Sequence, residues 1–164
     1  IHLKKAIASS ETNPELQKFF EQKFVEEQGH DKWAEDDLKS VEPLMGSPEF
    51  KPYVTEEMVK YVDMIASGIE EDPVLYPSYI YYTELLTVLL SHPMNEALAQ
   101  QCRFGDNVAT IITSHAELDQ HHIVEGEAAL KKLIDEQKYR ERTLRFLDTL
   151  IEQHKKMFLS SLLN

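Results

Sequence analysis

Three short stretches of this chain carry metal-type ligands at helical spacing. The densest is His115-Ala116-Glu117-Leu118-Asp119-Gln120-His121-His122. His115, Asp119 and His122 are separated by four and then three residues, so on a helix they share one face. Two imidazoles and a carboxylate in one row are enough to serve two adjacent metal ions. Ile111, Ile112 and Leu118 flank the row, and the expectation is that it points inward. The plainer alternative is a pair of neutral histidines filling a core gap, with Asp119 holding their tautomer. A row of three makes that the weaker reading.

The second stretch is Glu27-Gln28-Gly29-His30. An i,i+3 pair lies about one turn apart, so a carboxylate and an imidazole can converge on one ion. By itself this is a weak signal in an acidic helix, and Glu26 reaches His30 as well as Glu27 does. The third is Glu84, embedded in Tyr81-Tyr82-Thr83-Glu84-Leu85-Leu86-Thr87-Val88-Leu89-Leu90. A charge buried there costs on the order of several kcal/mol unless it is paired, protonated or bound to a metal. An exposed stripe shared with Thr87 and Ser91 is the alternative. Together the three stretches offer His30, His115 and His122 with Glu27, Glu84 and Asp119. Mixed imidazole and carboxylate donors suit iron or manganese, and helical-bundle cores are where such paired sites are built. Facing one another in an apolar cavity without metal, the three carboxylates are expected to have raised pKa values, unless the histidines compensate.

The elements that must position these groups read as helices throughout, with no period-two pattern that requires strands. Asn13-Pro14-Glu15 is a helix start, and Leu16, Phe19, Phe20, Lys23, Phe24, Glu27, His30 and Ala34 continue it at helical steps to about Lys39, weakened at Gly29. Pro43, Gly46, Pro48 and Pro52 mark a loop. Thr55 caps a helix with Met58, Val62, Ile65 and Ile69 on its apolar stripe, and Asp72-Pro73 stops it. Pro77-Ser78 opens the apolar helix that holds Glu84, with His92-Pro93 predicted to interrupt it before a short polar helix. Asp106 is expected to cap the helix that carries the ligand row to about Ile134. The last helix, from about Arg140 to Leu163, shows Leu144, Leu147, Ile151, His154, Phe158 and Leu162 at helical spacing. The fold class is therefore all-α, a bundle of about five to seven helices in one domain over 1–164.

Composition bounds the rest. With 164 residues, 42% of them apolar, the chain can bury a core of its own. Its net charge of −12 argues against nucleic acid, which needs a dense basic face. The longest apolar run, around Leu85–Leu90, is far too short to span a membrane. A single cysteine, Cys102, forms no internal disulfide and suits a reducing cytoplasm. Several candidates read as ordinary. His92 sits at a helix junction, His154 is a core histidine, His121 points away from His122, and His2 lies in an end prone to fray. Tyr76, Tyr79, Tyr81 and Tyr82 read as packing and pocket wall.

At the ligand residues the chain resembles the heme-oxygenase-like di-metal oxidases and oxygenases, which share a fold with the TenA- and PqqC-type helical bundles. Their pattern is Glu-x-x-His, a lone Glu on a later helix, then His-x-x-x-Asp-x-x-His. It falls here on Glu27 and His30, on Glu84, and on His115, Asp119 and His122. The stretch from Glu26 through Trp33 to Leu38 also looks like the family's first ligand helix. The resemblance covers Leu3 to about Leu133. It implies a heme-oxygenase-like bundle, two Fe(II) ions with manganese as an alternative at either position, and O2 as co-substrate. The reaction implied is oxidation of a small organic substrate by C–C cleavage, decarboxylation or N-oxygenation. Family members usually carry a further helical portion before the first ligand helix; the chain starts at Ile1 almost on that helix, so the expectation is either that N-terminal helices are missing here or that this is a shortened member whose pocket is completed otherwise. A cytoplasmic protein, with no membrane or nucleic-acid partner and with a homodimer allowed, completes the reading. The alternatives are a ferritin-like iron-binding protein and an interaction module on the same bundle with a vestigial site.

Overall fold

The computed structural model describes residues 1–44, 53–102, 110–133 and 137–162. Within them the chain is all-α: seven α-helices and two short 3-10 turns, without a strand. The helices are α1 (His2–Ser9), α2 (Pro14–Glu26), α3 (Asp31–Val41), α4 (Glu56–Glu71), α5 (Tyr76–Cys102), α6 (Thr110–Leu133) and α7 (Gln137–Leu162). Gly46, Pro48 and Pro52 of the expected loop, the expected cap Asp106 and the side chain of Cys102 lie outside the described residues. No helix among the described residues is long and apolar enough to cross a membrane.

The chain divides into two compact units. The first comprises Ile1–Glu26, Tyr53–Ile80 and Glu127–Asn164. Its core is Ala6, Leu16, Phe20, Tyr61, Ile65, Ile69, Tyr76 and Leu150. Asn13 caps α2 as its sequence suggests, its Oδ1 accepting from the Leu16 N–H at 3.2 Å. Thr55 does the same for α4, accepting from the Met58 N–H at 3.1 Å. Helices α4 and α7 approach closely at Gly68, where a Cβ would run into the Phe146 ring.

Two registers in this unit differ from the expected ones. In α4, Tyr61 is buried while Val62 is about half exposed (49%). In α7 the buried positions are Thr143, Leu150 and Gln153, whereas Leu144 and Phe158 face out. The stripe is turned back by one residue. The cause is polar: Gln153 donates from Nε2 to the Glu57 carboxylate at 2.7 Å and to its backbone carbonyl at 3.3 Å. A satisfied polar side chain can therefore occupy the core face that an apolar pattern would assign elsewhere.

The second unit comprises Glu27–Pro52 and Tyr81–Gly126. It contains the Glu27–His30 turn, α3, most of α5 and most of α6. Helix α5 runs unbroken with Pro93 inside it, where the sequence predicts an interruption. A proline within a helix removes one N–H bond, here the one aimed at the Leu89 carbonyl, and the neighbouring turns continue. In this unit several polar side chains take buried positions while some large apolar ones face out. Leu89, Leu90, Leu118 and Val124 are exposed, while Glu84, Ser91 and Asp119 are buried. Leu118 thus departs from its expected place beside an inward row. The row itself faces in.

Candidate metal centre

The Glu27–His30 turn, α5 and α6 bring the six candidate ligands together within the second unit as two triads. In each triad, donor atoms of all three residues lie within 4.8 Å of one another: Glu27, His30 and His115 in one, Glu84, Asp119 and His122 in the other. Helix α6 contributes to both. Four residues separate His115 from Asp119, a rise of about 6 Å along the axis.

The first triad starts from a break in the chain. The sequence predicts one helix from Pro14 to about Lys39, but Glu27–His30 form a turn between α2 and α3. Gly29 takes φ +89°, in the left-handed region that only glycine enters freely, and this ends α2 at Glu26. The two side chains still converge, with His30 Nδ1 2.9 Å from Glu27 Oε2. His115 Nε2 lies 3.8 Å from the same oxygen. Glu26 turns elsewhere: it pairs with Lys23 at 3.1 Å and accepts from Gln22 at 2.9 Å. Of the two glutamates, Glu27 is the one that meets the imidazoles.

Around this triad, Trp33 stacks on His30, their centroids 4.3 Å apart and their planes 14° apart. It meets the His115 ring edge-on at 5.3 Å. The other nitrogen of His115, Nδ1, donates to the Ile111 carbonyl at 2.7 Å. A carbonyl can only accept, so Nδ1 carries the hydrogen, and in the neutral ring the Nε2 lone pair faces Glu27 and His30.

The second triad is deeper. Glu84 and Asp119 are 6% and 3% exposed. His122 Nδ1 lies 3.1 Å from Asp119 Oδ1 and 3.8 Å from Glu84 Oε1. Gly126 lets α5 come close at this level: a Cβ there would stand 3.2 Å from Tyr81 Cδ2 and 3.5 Å from Glu84 Oε2. Eleven residues turn a helix through about 20° beyond three full turns, so Gly126 continues the stripe begun at His115.

The two triads differ electrostatically. The imidazole of His115 is the main reason the Glu27 carboxyl is held below its ordinary range; burial opposes it and His30 reinforces it. Glu27 in turn raises His115, against burial. At Asp119 burial dominates and pushes the carboxyl up, although the bond with His122 pulls it down. Of these two carboxyls, only Asp119, where burial outweighs the imidazoles, is raised. Glu27 departs from the expected direction because it faces two of them.

The donor set fits iron or manganese: three imidazoles and three carboxylates, two of the latter in surroundings that disfavour bare negative charge. The remaining histidines lie apart from it. His92 is exposed and 3.6 Å from Glu96. His121 is exposed. His154 packs on Tyr61 at 5.0 Å in the first unit, and burial lowers its pKa. His2 is packed edge-on to Tyr76 at 6.3 Å within α1 rather than lying in a loose end. Gly126 was not singled out by sequence reasoning, although a glycine on the stripe of candidate ligands is a readable signal for close approach.

A heme-oxygenase-like family model, described as an iron-containing redox enzyme, matches residues 5–149. Searches among curated proteins and among solved structures found no match.

Proposed function

The chain belongs to the iron-containing redox enzymes of heme-oxygenase-like fold, and from that premise we propose a non-heme di-iron oxidase or oxygenase that uses O2 to oxidise a small organic substrate. Glu27, His30 and His115 would hold one ion, and Glu84, Asp119 and His122 the other, with manganese as an alternative at either. The observation that carries the reading is the pair of adjacent triads sharing α6. When bound, the two ions supply the electrons and Lewis acidity that O2 chemistry requires.

The chain's own residues do the rest. The Ile111 carbonyl fixes the His115 tautomer and leaves Nε2 to face Glu27. Trp33 covers two imidazoles and limits the water that reaches them. Glu84 and Asp119 are buried from water, which strengthens their attraction for a cation. The first triad is the more open, with the Glu27 side chain 37% exposed against 7% for Glu84. Substrate and O2 would approach from that side. Oxidative C–C cleavage, decarboxylation and N-oxygenation are the reaction types considered, in a cytoplasmic setting.

The test is anaerobic Fe(II) loading followed by O2, with and without a panel of amino acids, fatty acids and amines. The reading expects about two ions per chain and O2 consumption accelerated by one class of compound, with an oxidised product identified by mass spectrometry. Growth of a large iron core without product formation would replace it with iron storage. Failure to retain metal at all would leave a vestigial site.

A further inference from the structure

We propose that Asp37 is a positioning residue that anchors the first turn of α6 and thereby the aim of His115. Asp37 is buried, at 8% exposure, on α3. Its Oδ1 accepts from the Thr110 backbone N–H at 3.0 Å and from the Thr110 hydroxyl at 2.6 Å. Its Oδ2 accepts from the Ile111 N–H at 2.9 Å. The first N–H groups of a helix have no intrahelical partner, and a carboxylate there also meets the positive end of the helix dipole. Capping residues usually come from just before their own helix. Here the cap comes from more than seventy residues away (|i−j| = 73).

The consequence reaches the metal ligands by two short routes. Ile111, held by Asp37 through its N–H, is the residue whose carbonyl holds His115 Nδ1 at 2.7 Å. Helix α3 follows directly on the turn that carries Glu27 and His30, so one element fixes both the anchor of α6 and two partners of His115. Loss of that anchor would free the first turn of α6 and with it the Ile111 carbonyl that holds His115, whereas Asp119 and His122 lie more than two turns further along the helix. Asp37 is therefore tied to the Glu27, His30 and His115 triad, and the deeper triad does not depend on it in the same way.

This inference rests on the metal reading for its functional meaning but not for its test. The test compares wild type with Asp37→Asn, which keeps the shape but leaves only one oxygen to accept, and with Thr110→Val, which removes only the hydroxyl bond. Two measurements are made: Mn(II) titration followed by electron paramagnetic resonance, and 15N NMR of the His115 ring in metal-free protein at a pH where it is neutral. Asp37→Asn is expected to weaken one of two Mn(II) binding events by roughly 10- to 100-fold and leave the other unchanged. Thr110→Val should weaken the same event by a smaller factor. The His115 ring should lose its fixed Nδ1–H form in Asp37→Asn. Equal weakening of both events, or a His115 tautomer unchanged in Asp37→Asn, would overturn the inference. If wild type binds no Mn(II), the functional reading fails, and the NMR comparison alone still decides the role of Asp37.

Discussion

Replacing Asp119 by Asn should make the metal-free protein more stable and the metal-loaded protein less so. Asp119 is 3% exposed. Burial holds its carboxyl above the ordinary value of 3.8. A carboxylate with a raised folded pKa contributes stability that is full below its unfolded pKa and is lost as pH rises through the folded one. Near pH 4 the two metal-free proteins should therefore differ least, and they should diverge as pH rises. Asn can still accept from His122 Nδ1 through its own Oδ1, so the bond at 3.1 Å need not be lost. Removing a buried charge that lacks its cation stabilises on the order of 1 kcal/mol, about 2–4 °C in melting temperature for a chain of this size. Loading acts in the opposite direction. At free metal of about 100 times the dissociation constant, each bound ion adds roughly 2.7 kcal/mol, or about 5–11 °C. Wild type should show that gain; Asp119→Asn should lose the part that comes from the second triad. The assay is differential scanning calorimetry of both proteins at pH 7, metal-free and loaded anaerobically with Fe(II) or Mn(II). The reasoning is refuted if metal-free Asp119→Asn melts below wild type and gains as much on loading.

Further outcomes follow from the same geometry. Glu27, held low, contributes stability above about pH 4.5 that is lost as pH falls through its folded pKa. His115, held high, contributes stability that is full below about 6.5 and is lost as pH rises through its folded pKa. The pair thus contributes most between those values, and chemical denaturation against pH should show Glu27→Gln flattening that maximum in metal-free protein. Elemental analysis should find metal lost in His115→Ala and His122→Ala but retained in His92→Ala and His154→Ala; equal loss in all four would mean the row is misassigned. Gly29→Ala has open space for its Cβ but an unfavourable φ of +89°, so it should cost about 1–2 kcal/mol in urea unfolding. It should also weaken Mn(II) binding at the first triad, because the turn places Glu27 and His30.

Much of the candidate site was legible because it obeys a local rule. His115, Asp119 and His122 share a helix face by spacing alone, and Glu84 stands out as a charge within an apolar run. The all-α class follows from the same periodicity. What was hidden depends on groups distant in sequence. The cost of Gly29 in a helix, about 1 kcal/mol, cannot by itself decide between a weakened helix and the observed turn. The stripe of α7 is turned because Gln153 finds Glu57, and the start of α6 is set by Asp37; neither partner lies within ninety or seventy residues respectively (|i−j| = 96 and 73). Leu118 misled for another reason. Around a polar site the inward face is polar, and Leu118 is turned out to solvent.

The most direct test of the two-triad reading is anomalous diffraction from crystals of the protein loaded with Mn(II). The account predicts two peaks roughly 3.5–4 Å apart, one ligated by Glu27, His30 and His115 and the other by Glu84, Asp119 and His122, with donor distances near about 2.0–2.2 Å on the zinc scale. Full occupancy of manganese elsewhere, or loaded crystals in which these six side chains surround no peak, would contradict it.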